Sequence, residues 1–315
     1  MKVLITGGAG FIGSNLARAF LKKKNAEVRI IDDLSVGRIE NIKDILKKIK
    51  FVKADINDRK ALSKIIQGVD FVFHKAALNS VTRSLAFPLE VNAANTTGTL
   101  NVLLAAKEAK VKRLIYATSS SVYGNSKVFP VQEHFPSQPI SNYGVTKMAG
   151  EHYCRVFDHL YGLETVRLRY FNVFGPYQNP NSEYAAVIPK FVKAIMSDQP
   201  ITIYGDGLQS RAFTYVDNII EANFKALAAP SSVAGNVFNI TAGHSTSLLE
   251  IVEILEEIFG RKLKINFEPA RKCDIKDSSA DLSLAKKHLK FKPIIDFREG
   301  LKRTVDWYRK NIPIK

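Results

Sequence analysis

The first half of the chain alternates short apolar runs with longer amphipathic segments. The runs are VLIT, EVRIID, FVKAD, FVFH, RLIYATS and TVRLRY, and the segments between them cover residues 11–24, 39–49, 58–67, 83–109 and 143–161. Strands that are apolar at nearly every position are typical of a sheet covered on both faces. Parallel neighbours in such a sheet need a crossover connection, usually a helix. The pattern therefore predicts a doubly wound α/β fold with six parallel strands.

Beyond residue 171 this rhythm loosens. Helical patterns at 187–196, 216–228, 247–259 and 298–310 are separated by loops rich in Asn, Pro, Gly and Ser, which cover 172–184, 205–211, 229–236 and 269–279. Such punctuation favours a second, smaller α/β lobe. We expect a first domain of residues 1–171, to which the chain returns near 212–242, and a second domain of residues 172–211 and 243–315.

The composition is that of an ordinary globular protein, with 46% apolar and 24% charged residues in a chain of 315. No run of eighteen apolar residues occurs, and Met1 and Lys2 lead directly into a strand without the apolar region of a signal peptide. Cys154 and Cys273 form no CxxC pair and are expected to be free thiols in a reducing compartment. We therefore expect a cytoplasmic protein.

The net charge of +16 raises the question of a nucleic-acid partner. Most of the basic excess lies in residues 1–50 and 261–315, on predicted helix faces or helix ends. No aromatic stacking motif accompanies these residues, and the chain carries no recognised nucleic-acid-binding signature. A solvated basic surface is the better interpretation, and a positive field also suits anionic small molecules.

A glycine-rich turn follows the first predicted strand at once. Gly7, Gly8, Gly10 and Gly13 satisfy both the GxxGxxG and the GxGxxG spacing, and an amphipathic helix begins directly after them. Glycines allow positive φ and a close approach of a pyrophosphate to the backbone, while the helix N-terminus offers free amides. A turn without a ligand is the alternative, but a strand before it and a helix after it favour dinucleotide binding.

Asp32 ends the second predicted strand, about twenty residues after the turn. A carboxylate at this place accepts the adenosine ribose hydroxyls and repels a 2′-phosphate, which favours NAD over NADP. Arg38 weakens this preference, because an arginine could hold the extra phosphate. A polar strand end without a ligand is the other alternative for Asp32.

Tyr143 and Lys147 stand four residues apart in YGVTK, on one face of a predicted helix. Ser119 ends the strand RLIYATS, at the sheet edge where such folds bind ligands. A neighbouring ammonium, together with a positively charged cofactor, would lower the pKa of a phenol from its usual value near 10. We expect Tyr143 to act as base in a hydride transfer, Lys147 to tune it and hold the ribose, and Ser119 to orient the reacting oxygen. A surface Tyr and Lys would be the better interpretation if the motif stood alone.

The segments GGAGFIG, HKAALNSV, TSSSVYG, YGVTK, RYFNVFGP and GDGLQSRAFTYVDN together resemble the extended short-chain dehydrogenase/reductase family, in its nucleotide-sugar branch. The resemblance covers essentially the whole chain. It implies a Rossmann domain holding NAD and a smaller nucleotide-sugar-binding domain. The cofactor-binding residues that it implies are Gly7, Gly10, Phe11, Ile12, Gly13, Asp32, Asp33, Leu34, Ser35, Gly37, Asp55, Ile56, Lys75, Ala76, Ala77, Asn79, Asn95, Ser119, Tyr143, Lys147 and Phe171. The six histidines show no metal-binding spacing, and we expect no metal.

The branch can be narrowed by comparing motifs. Dehydratases of this family read TDEVYG, whereas Ser120 and Ser121 stand where their Asp and Glu would be, so dehydration is disfavoured. RYFNVFGPYQNPNSEYAAVIPKF resembles the 4-epimerases, especially those for UDP-N-acetylglucosamine. The substrate-binding residues that this implies are Ser119, Ser120, Tyr143, Asn172, Ala186, Val187, Arg211, Arg271, Asp274 and Ser278. Two arginines on a diphosphate are physically sensible, because charge-assisted pairs are strong and directional.

Two details of this assignment depend on single residues. The family usually has Gly where this chain has Cys273, so the backbone around Arg271 and Asp274 can differ. Ser278 stands where a bulky side chain in some epimerases restricts the substituent at sugar C2, and a small serine leaves room for an N-acetyl group.

The sequence thus predicts an enzyme, a UDP-hexose 4-epimerase for UDP-GlcNAc/UDP-GalNAc and UDP-Glc/UDP-Gal. UDP-glucuronate 4-epimerase or decarboxylase activity stays open, as does the different class of a non-catalytic NAD-binding regulator. The resemblance also implies a homodimer formed through the helices at 83–109 and 143–161, although core packing would equally explain their apolar residues, such as Val102, Leu103, Leu104, Val156 and Phe157. Neither nucleic acid nor membrane is expected as a partner.

Overall fold

A seven-stranded parallel sheet forms the centre of the protein. The computed structural model describes residues 1–182, 185–270 and 278–312. The sheet has the order β11-β6-β5-β4-β1-β2-β3. Its strands are β1 (Lys2–Thr6), β2 (Glu27–Asp32), β3 (Lys50–Lys53), β4 (Phe71–His74), β5 (Arg113–Ser119), β6 (Glu164–Tyr170) and β11 (Val237–Ile240). The strand order reverses between β1 and β4, which is where such sheets open a crevice for ligands. The predicted doubly wound α/β fold is confirmed.

Helices cover both faces of the sheet and build the rest of the chain. They are α1 (Phe11–Leu21), α2 (Arg59–Ile66), α3 (Val81–Ala86), α4 (Pro88–Asn92), α5 (Gly98–Glu108), α6 (Asn142–Tyr161), α7 (Val187–Met196), α8 (Val216–Ala228), α9 (Leu248–Phe259) and α10 (Phe297–Asn311). One core cluster packs α1 and α8 against the sheet, and another packs α2, α5 and α6 against its other face. The predicted helices at 187–196 and 216–228 have the bounds that the sequence indicates.

Three features of the fold differ from the sequence prediction. The segment 39–49 forms two 3-10 turns, Ile39–Asn41 and Lys43–Lys48, because the buried Ile42 between them has non-helical backbone angles. The segment 83–109 is four pieces, α3, α4, a π turn at Ala93–Thr97 and α5, and Pro88 begins the second of them. The seventh strand, β11, is only four residues long and was not predicted.

The second half of the chain forms a smaller lobe beside the sheet. Its strands are β7 (Val173–Phe174), β8 (Ile201–Tyr204), β9 (Ser210–Arg211), β10 (Thr214–Tyr215), β12 (Thr246–Ser247) and β13 (Ile265–Glu268), which pair as β10-β7, β12-β9 and β13-β8. A separate apolar core lies between α7, α9, α10 and β8 and includes Phe191, Leu255 and Leu301. The chain returns to the large sheet through α8 and β11.

No helix within the described ranges 1–182, 185–270 and 278–312 is both long and apolar enough to cross a membrane.

Candidate active site

A cavity of about 650 Å³ opens at the carboxyl edge of the sheet. The ends of β1, β2, β4, β5 and β6 lie along its floor, because parallel strands all present their carboxyl ends to the same edge. The glycine turn lies at one end, and Ser119, Tyr143 and Lys147 lie in its wall. One cavity therefore joins the two motifs that the sequence singled out.

The glycine turn leaves no room for side chains. Gly7 has φ +66°, and a Cβ there would lie 2.6 Å from the backbone nitrogen of Ala76. A Cβ on Gly13 would collide with the carbonyl oxygen of Gly7. Helix α1 begins at Phe11 with no capping side chain and no acidic residue in its first turn. The partial positive charge of its first backbone N–H groups is thus not offset by an acidic side chain of the first turn. This arrangement fits the pyrophosphate of a dinucleotide.

Asp32 is buried at the end of β2, in the wall of the same cavity. Its carboxylate accepts the backbone N–H groups of Ala9 and Leu34, each at 2.9 Å. Burial raises the pKa of Asp32, while these two hydrogen bonds oppose the shift. Arg38 does not line the cavity and instead approaches Asn41. The residues present at this wall fit the ribose of NAD.

Helix α6 carries Tyr143 and Lys147 one turn apart. The side chain of its capping residue, Ser141, accepts the N–H of Gly144, which fixes where the helix begins. Lys147 is buried, and its Nζ donates to the carbonyl oxygen of Ala117 on β5 at 2.9 Å. This Nζ lies 5.9 Å from the ring centre of Tyr143. The ammonium is thus anchored to the strand that ends in Ser119.

The pKa of Tyr143 depends mainly on its burial. Burial raises it to about 12, and a hydrogen bond with Ser119 acts in the opposite direction. Burial also lowers the pKa of Lys147 to about 8, against the influence of Cys154 and Glu151. The expectation that the Lys147 ammonium and a bound, positively charged cofactor together lower the pKa of Tyr143 stays a prediction.

Lys75 is a second lysine in the cavity wall. Its Nζ donates to the hydroxyl of Tyr170 at 2.9 Å, and that hydroxyl also accepts from Asn223 at 2.9 Å. Burial, with a smaller contribution from Lys147, holds the pKa of Lys75 well below its usual value. Burial thus disfavours the charged form of Lys75, which lies at this end of the cavity as a hydrogen-bond donor to Tyr170.

A second cavity, of about 520 Å³, adjoins the first and shares Asn172, Val173 and Ala186 with it. Its walls combine apolar side chains, such as Phe191 and Leu248, with Lys190 and Arg211. Asn172 has positive φ (33°), and its amide donates to the carbonyl oxygen of Ala212. A nucleotide needs apolar walls for its flat base and basic groups for its phosphates, and the walls of this cavity offer both.

Most of the predicted site residues line one of the two cavities. Those in the wall of the first are Gly7, Gly10, Phe11, Ile12, Gly13, Asp32, Asp33, Ser35, Gly37, Asp55, Ile56, Lys75, Ala76, Ala77, Asn79, Ser119, Ser120, Tyr143, Lys147, Asn172 and Ala186. Val187 and Arg211 line the second. Arg271, Asp274 and the cysteine at 273 lie outside the described residues.

Four predicted residues line neither cavity. Leu34 contributes its backbone N–H to Asp32, and Phe171 is buried in a small apolar cluster with Val122 and Tyr123. Asn95 is buried and bonds both backbone groups of Leu78. The hydroxyl of Ser278 accepts the N–H of Ala212, which places this serine next to Arg211 in space.

Sequence reasoning missed several residues in the cavity walls. Lys190 follows Ala186 by four residues, so helical spacing from the predicted contact could have found it. Tyr204 ends β8 directly before the turn GDG, and a polar side chain at a strand end is the same signal that identified Asp32. Gln178 lines the first cavity from the loop after β7, and no periodic pattern marks it.

Comparison with known proteins gives concordant results. The sequence model of the NAD dependent epimerase/dehydratase family matches residues 3–241. The chain is 37% identical to a UDP-glucuronate 4-epimerase of Thermodesulfobacterium geofontis, covering 99% of this chain and 97% of that protein.

Two solved structures share the fold over their full length. A UDP-glucose 4-epimerase of Thermotoga maritima, solved with UDP-glucose, is 34% identical with a TM-score of 0.94, covering 99% of this chain and 100% of that one. A UDP-N-acetylglucosamine 4-epimerase of Methanobrevibacter ruminantium, in complex with UDP-N-acetylmuramic acid, is 39% identical with a TM-score of 0.93, covering 99% of each chain.

The matching region contains the glycine turn, Asp32, Ser119, Tyr143 and Lys147, the residues that line the cavity at the sheet edge. The resemblance inferred from the motifs is confirmed, and the cofactor is NAD. The chain belongs to the NAD-dependent epimerase/dehydratase family, within the extended short-chain dehydrogenases/reductases.

Proposed function

We propose that this protein is a UDP-hexose 4-epimerase that interconverts UDP-GlcNAc with UDP-GalNAc and UDP-Glc with UDP-Gal. The observation that carries the proposal is the junction of the two cavities. The first combines a dinucleotide cradle with Ser119, Tyr143 and Lys147, and the second offers basic and apolar walls for a nucleotide. A sugar attached to that nucleotide reaches the catalytic groups through the shared wall.

The residues of the site have separate tasks in this reaction. Tyr143 removes the proton from the C4 hydroxyl and later returns it, while Ser119 orients the sugar oxygen by a hydrogen bond. NAD, held by the glycine turn and Asp32, would supply the acceptor and donor for the C4 hydride, so no net oxidation would occur. Inversion at C4 then requires that the pocket let the 4-ketosugar turn over before it is reduced from its opposite face.

The electrostatics of the site support this assignment. A tyrosine whose pKa is raised to about 12 is almost entirely protonated at neutral pH and cannot accept a proton in that form. The site therefore needs positive charge near Tyr143 to favour the phenolate. Lys147 provides one such charge from within the protein, and the nicotinamide ring provides another when NAD is bound. Both charges would favour the phenolate in the loaded enzyme, which is the form that removes the proton.

UDP-glucuronate is the second candidate substrate. The relative from Thermodesulfobacterium geofontis that matches almost the full chain is named for this sugar. Arg83 lines the first cavity and is only weakly engaged with Glu90, at 3.4 Å, so a cation is available near this wall for a carboxylate.

The test is a product assay against a panel of UDP-sugars. We expect NMR to show conversion at C4 for UDP-GlcNAc and UDP-Glc, with no loss of CO₂ from UDP-glucuronate. Turnover of UDP-glucuronate alone would replace the proposed substrate with the second candidate. Absence of turnover on every UDP-sugar, with NAD retained, would instead favour a non-catalytic NAD-binding protein.

We also propose that Ser278 leaves room for the N-acetyl group. It is half-buried and hydrogen-bonded to the backbone of Ala212, next to the diphosphate ligand proposed here, Arg211. We expect Ser278→Tyr to lower the ratio of kcat/KM for UDP-GlcNAc over UDP-Glc. An unchanged ratio would contradict this role, whatever the absolute activity.

A further inference from the structure

A buried ionic cluster lies directly behind the catalytic wall. It consists of Glu151 on α6, Arg169 on β6 and Thr118 on β5, which are all almost completely buried. The Glu151 carboxylate accepts Nε of Arg169 at 2.9 Å and Nη2 at 2.7 Å. It also accepts the hydroxyl of Thr118 at 2.7 Å. Three donors thus fix one carboxylate in one place.

The position of this carboxylate connects it to the active site. Glu151 lies one turn after Lys147, which itself lies one turn after Tyr143, so the three share one face of α6. Thr118 immediately precedes Ser119, and Ala117 before it accepts the Lys147 ammonium. Helix α6 therefore contacts β5 at two successive residues, once through Lys147 and once through Glu151.

We propose that Glu151 is a positioning residue for the epimerisation: through Thr118 it sets the register of Tyr143 and Lys147 against Ser119, and through its charge it keeps the Lys147 ammonium protonated. The proposal rests on the proposed function of the same site. Arg169 holds the Glu151 carboxylate in place, and its guanidinium contacts the Tyr123 ring. Arg169 therefore acts on the active site only through Glu151.

The burial of Lys147 and the groups that surround it favour this role over a purely structural one. Lys147 is fully enclosed, and burial lowers its pKa to about 8, so without a nearby anion the ammonium would lose its proton near neutral pH. The groups that face Lys147 are Tyr143, Glu151 and Cys154 on its own helix, Tyr116 and the Ala117 carbonyl on β5, and His74 and Lys75 at the end of β4. Burial raises the pKa of the Cys154 thiol to about 12, and the carboxyl group that acts on Lys147 is that of Glu151.

The chain offers a matched control for the ion pair. Arg113 on β5 and Glu164 on β6 form an ion pair at the opposite end of the two strands that carry Thr118 and Arg169, with Nη2 of Arg113 2.6 Å from Oε2 of Glu164. This pair also holds the carbonyl oxygens of Ala226 and Ala229, and it lies away from the cavity. Glu164→Gln should therefore lower the stability without changing the pH dependence of the reaction.

The experiment compares Glu151→Gln, Thr118→Val and Glu164→Gln in the NAD-loaded protein. The pKa of Lys147 is measured by NMR of lysines labelled with ¹³C at Cε, with the resonance assigned by its loss in Lys147→Met. We expect Glu151→Gln to lower this pKa by about 1 unit and to shift the alkaline limb of kcat downward equally. Thr118→Val keeps both charges, so kcat should fall roughly 10- to 100-fold at unchanged KM, without a shift of that limb.

Glu151→Gln leaves a buried arginine without its carboxylate, which can prevent folding. The double variant Glu151→Met/Arg169→Met avoids the unpaired charge, but it also removes the opposing charge of Arg169, so it should lower the Lys147 pKa by less than Glu151→Gln does. An unchanged Lys147 pKa in Glu151→Gln, or an unchanged kcat in Thr118→Val, would overturn the proposal, and Thr118→Val decides where Glu151→Gln does not fold. If no UDP-sugar is turned over, the proposed function fails, but the Lys147 pKa still decides the electrostatic part of this inference.

Discussion

The phenol of Tyr143 is surrounded by groups that act on its charge in opposite directions. Burial disfavours the phenolate and raises its pKa to about 12, while the hydrogen bond with Ser119 favours it. The Lys147 ammonium, 5.9 Å from the ring, adds a favourable charge. The base is therefore a property of several residues, although only one of them transfers the proton.

Replacing Tyr143 with Phe removes the proton acceptor and leaves the ring. We expect kcat to fall by roughly 10²- to 10⁴-fold, the usual contribution of general acid–base catalysis, with binding of NAD and UDP almost unchanged. Steady-state kinetics and calorimetric titration with UDP measure the two effects. Tyr161→Phe is the control, because Tyr161 is an exposed tyrosine at the end of the same helix. Normal turnover by Tyr143→Phe would show that another group is the base.

His74 at the end of β4 gives a prediction about pH and stability. It is fully buried between the hydroxyls of Thr6 and Thr99, at 2.7 and 2.9 Å. Burial, and then the charges of Lys147 and Lys75, hold its pKa well below 6.5. The unfolded chain thus binds a proton below pH 6.5 that the folded protein does not bind. Stability from this group is complete above pH 6.5 and is lost as the pH falls toward the folded pKa.

We expect the free energy of unfolding to fall with decreasing pH below 6.5, with a contribution from His74 of at most about 1.4 kcal/mol per pH unit. Denaturant unfolding at a series of pH values measures this slope. His74→Gln should make the slope shallower by that amount, whereas His152→Gln, on the exposed face of α6, should leave it unchanged. Equal slopes in the wild type and His74→Gln would contradict the assignment.

Individual site residues differ in how far sequence reveals them. The local sequence pattern identifies Gly7, Asp32 and Tyr143, because each lies at a strand or helix end beside the cavity. The pKa of Tyr143 could not be predicted in the same way, since desolvation depends on everything packed around it. Gln178 and Tyr204 reach the cavities from loops and short strands of the second lobe, whose path depends on tertiary contacts.

At the scale of elements, the glycine turn combines two requirements that variants can separate. Gly7 has φ +66° and backbone within 2.6 Å of its missing Cβ, while Gly68 has φ +69° and open space around it. Alanine at either position is strained by about 1 kcal/mol from the left-handed backbone alone. Only at Gly7 must the turn also move away from Ala76.

We therefore expect Gly7→Ala to lose most of its NAD and Gly68→Ala to keep it, although both unfold at lower temperature. The NAD content of the purified proteins, together with thermal unfolding, separates the two effects. The same NAD content in both variants would mean that the close approach at Gly7 does not shape the cofactor site.

The elements that sequence predicts well are those with strong periodicity and clear ends. Helix α6 is an example, since Ser141 caps its start and Gly162, in the left-handed conformation, ends it. The predicted helix at 83–109 failed because its apolar pattern continues through Pro88, where the backbone cannot. Strand β11 was missed because four residues carry too little pattern, and its place beside β6 depends on the chain returning.

At the scale of the whole molecule, the two cavities depend on how the lobes close on each other, and no local pattern contains that information. Asn172, at the boundary between them, illustrates this. Sequence places it after β6 and the resemblance assigns it to the substrate, but its position in both cavity walls follows from its bond to Ala212 in the second lobe. The overall fold was easier to predict, because strand order follows from alternating strands and helices.

The outer face of α6 carries an unusual amount of exposed apolar surface. Val145, Val156 and Leu160 are 46%, 42% and 64% exposed. Spacings of eleven and four residues place them in one stripe about 22 Å long. Leu85 and Leu89, on the neighbouring α3 and α4, are 61% and 85% exposed. The core, by contrast, contains Val102, Leu103 and Phe157, so these residues give no evidence for a dimer.

This stripe supports the prediction of a homodimer, because a helix face of this kind pairs well with its own copy about a two-fold axis. A charge within this stripe would be desolvated by the partner. We expect Leu160→Glu to convert the protein to a monomer in analytical ultracentrifugation, with the fold intact by circular dichroism. Leu208→Glu introduces the same charge at an equally exposed leucine, 65%, in the second lobe, and should leave the dimer unchanged. A dimer that survives Leu160→Glu, or a monomeric wild type, would place the partner surface elsewhere or exclude it, and the exposed stripe would then need another explanation.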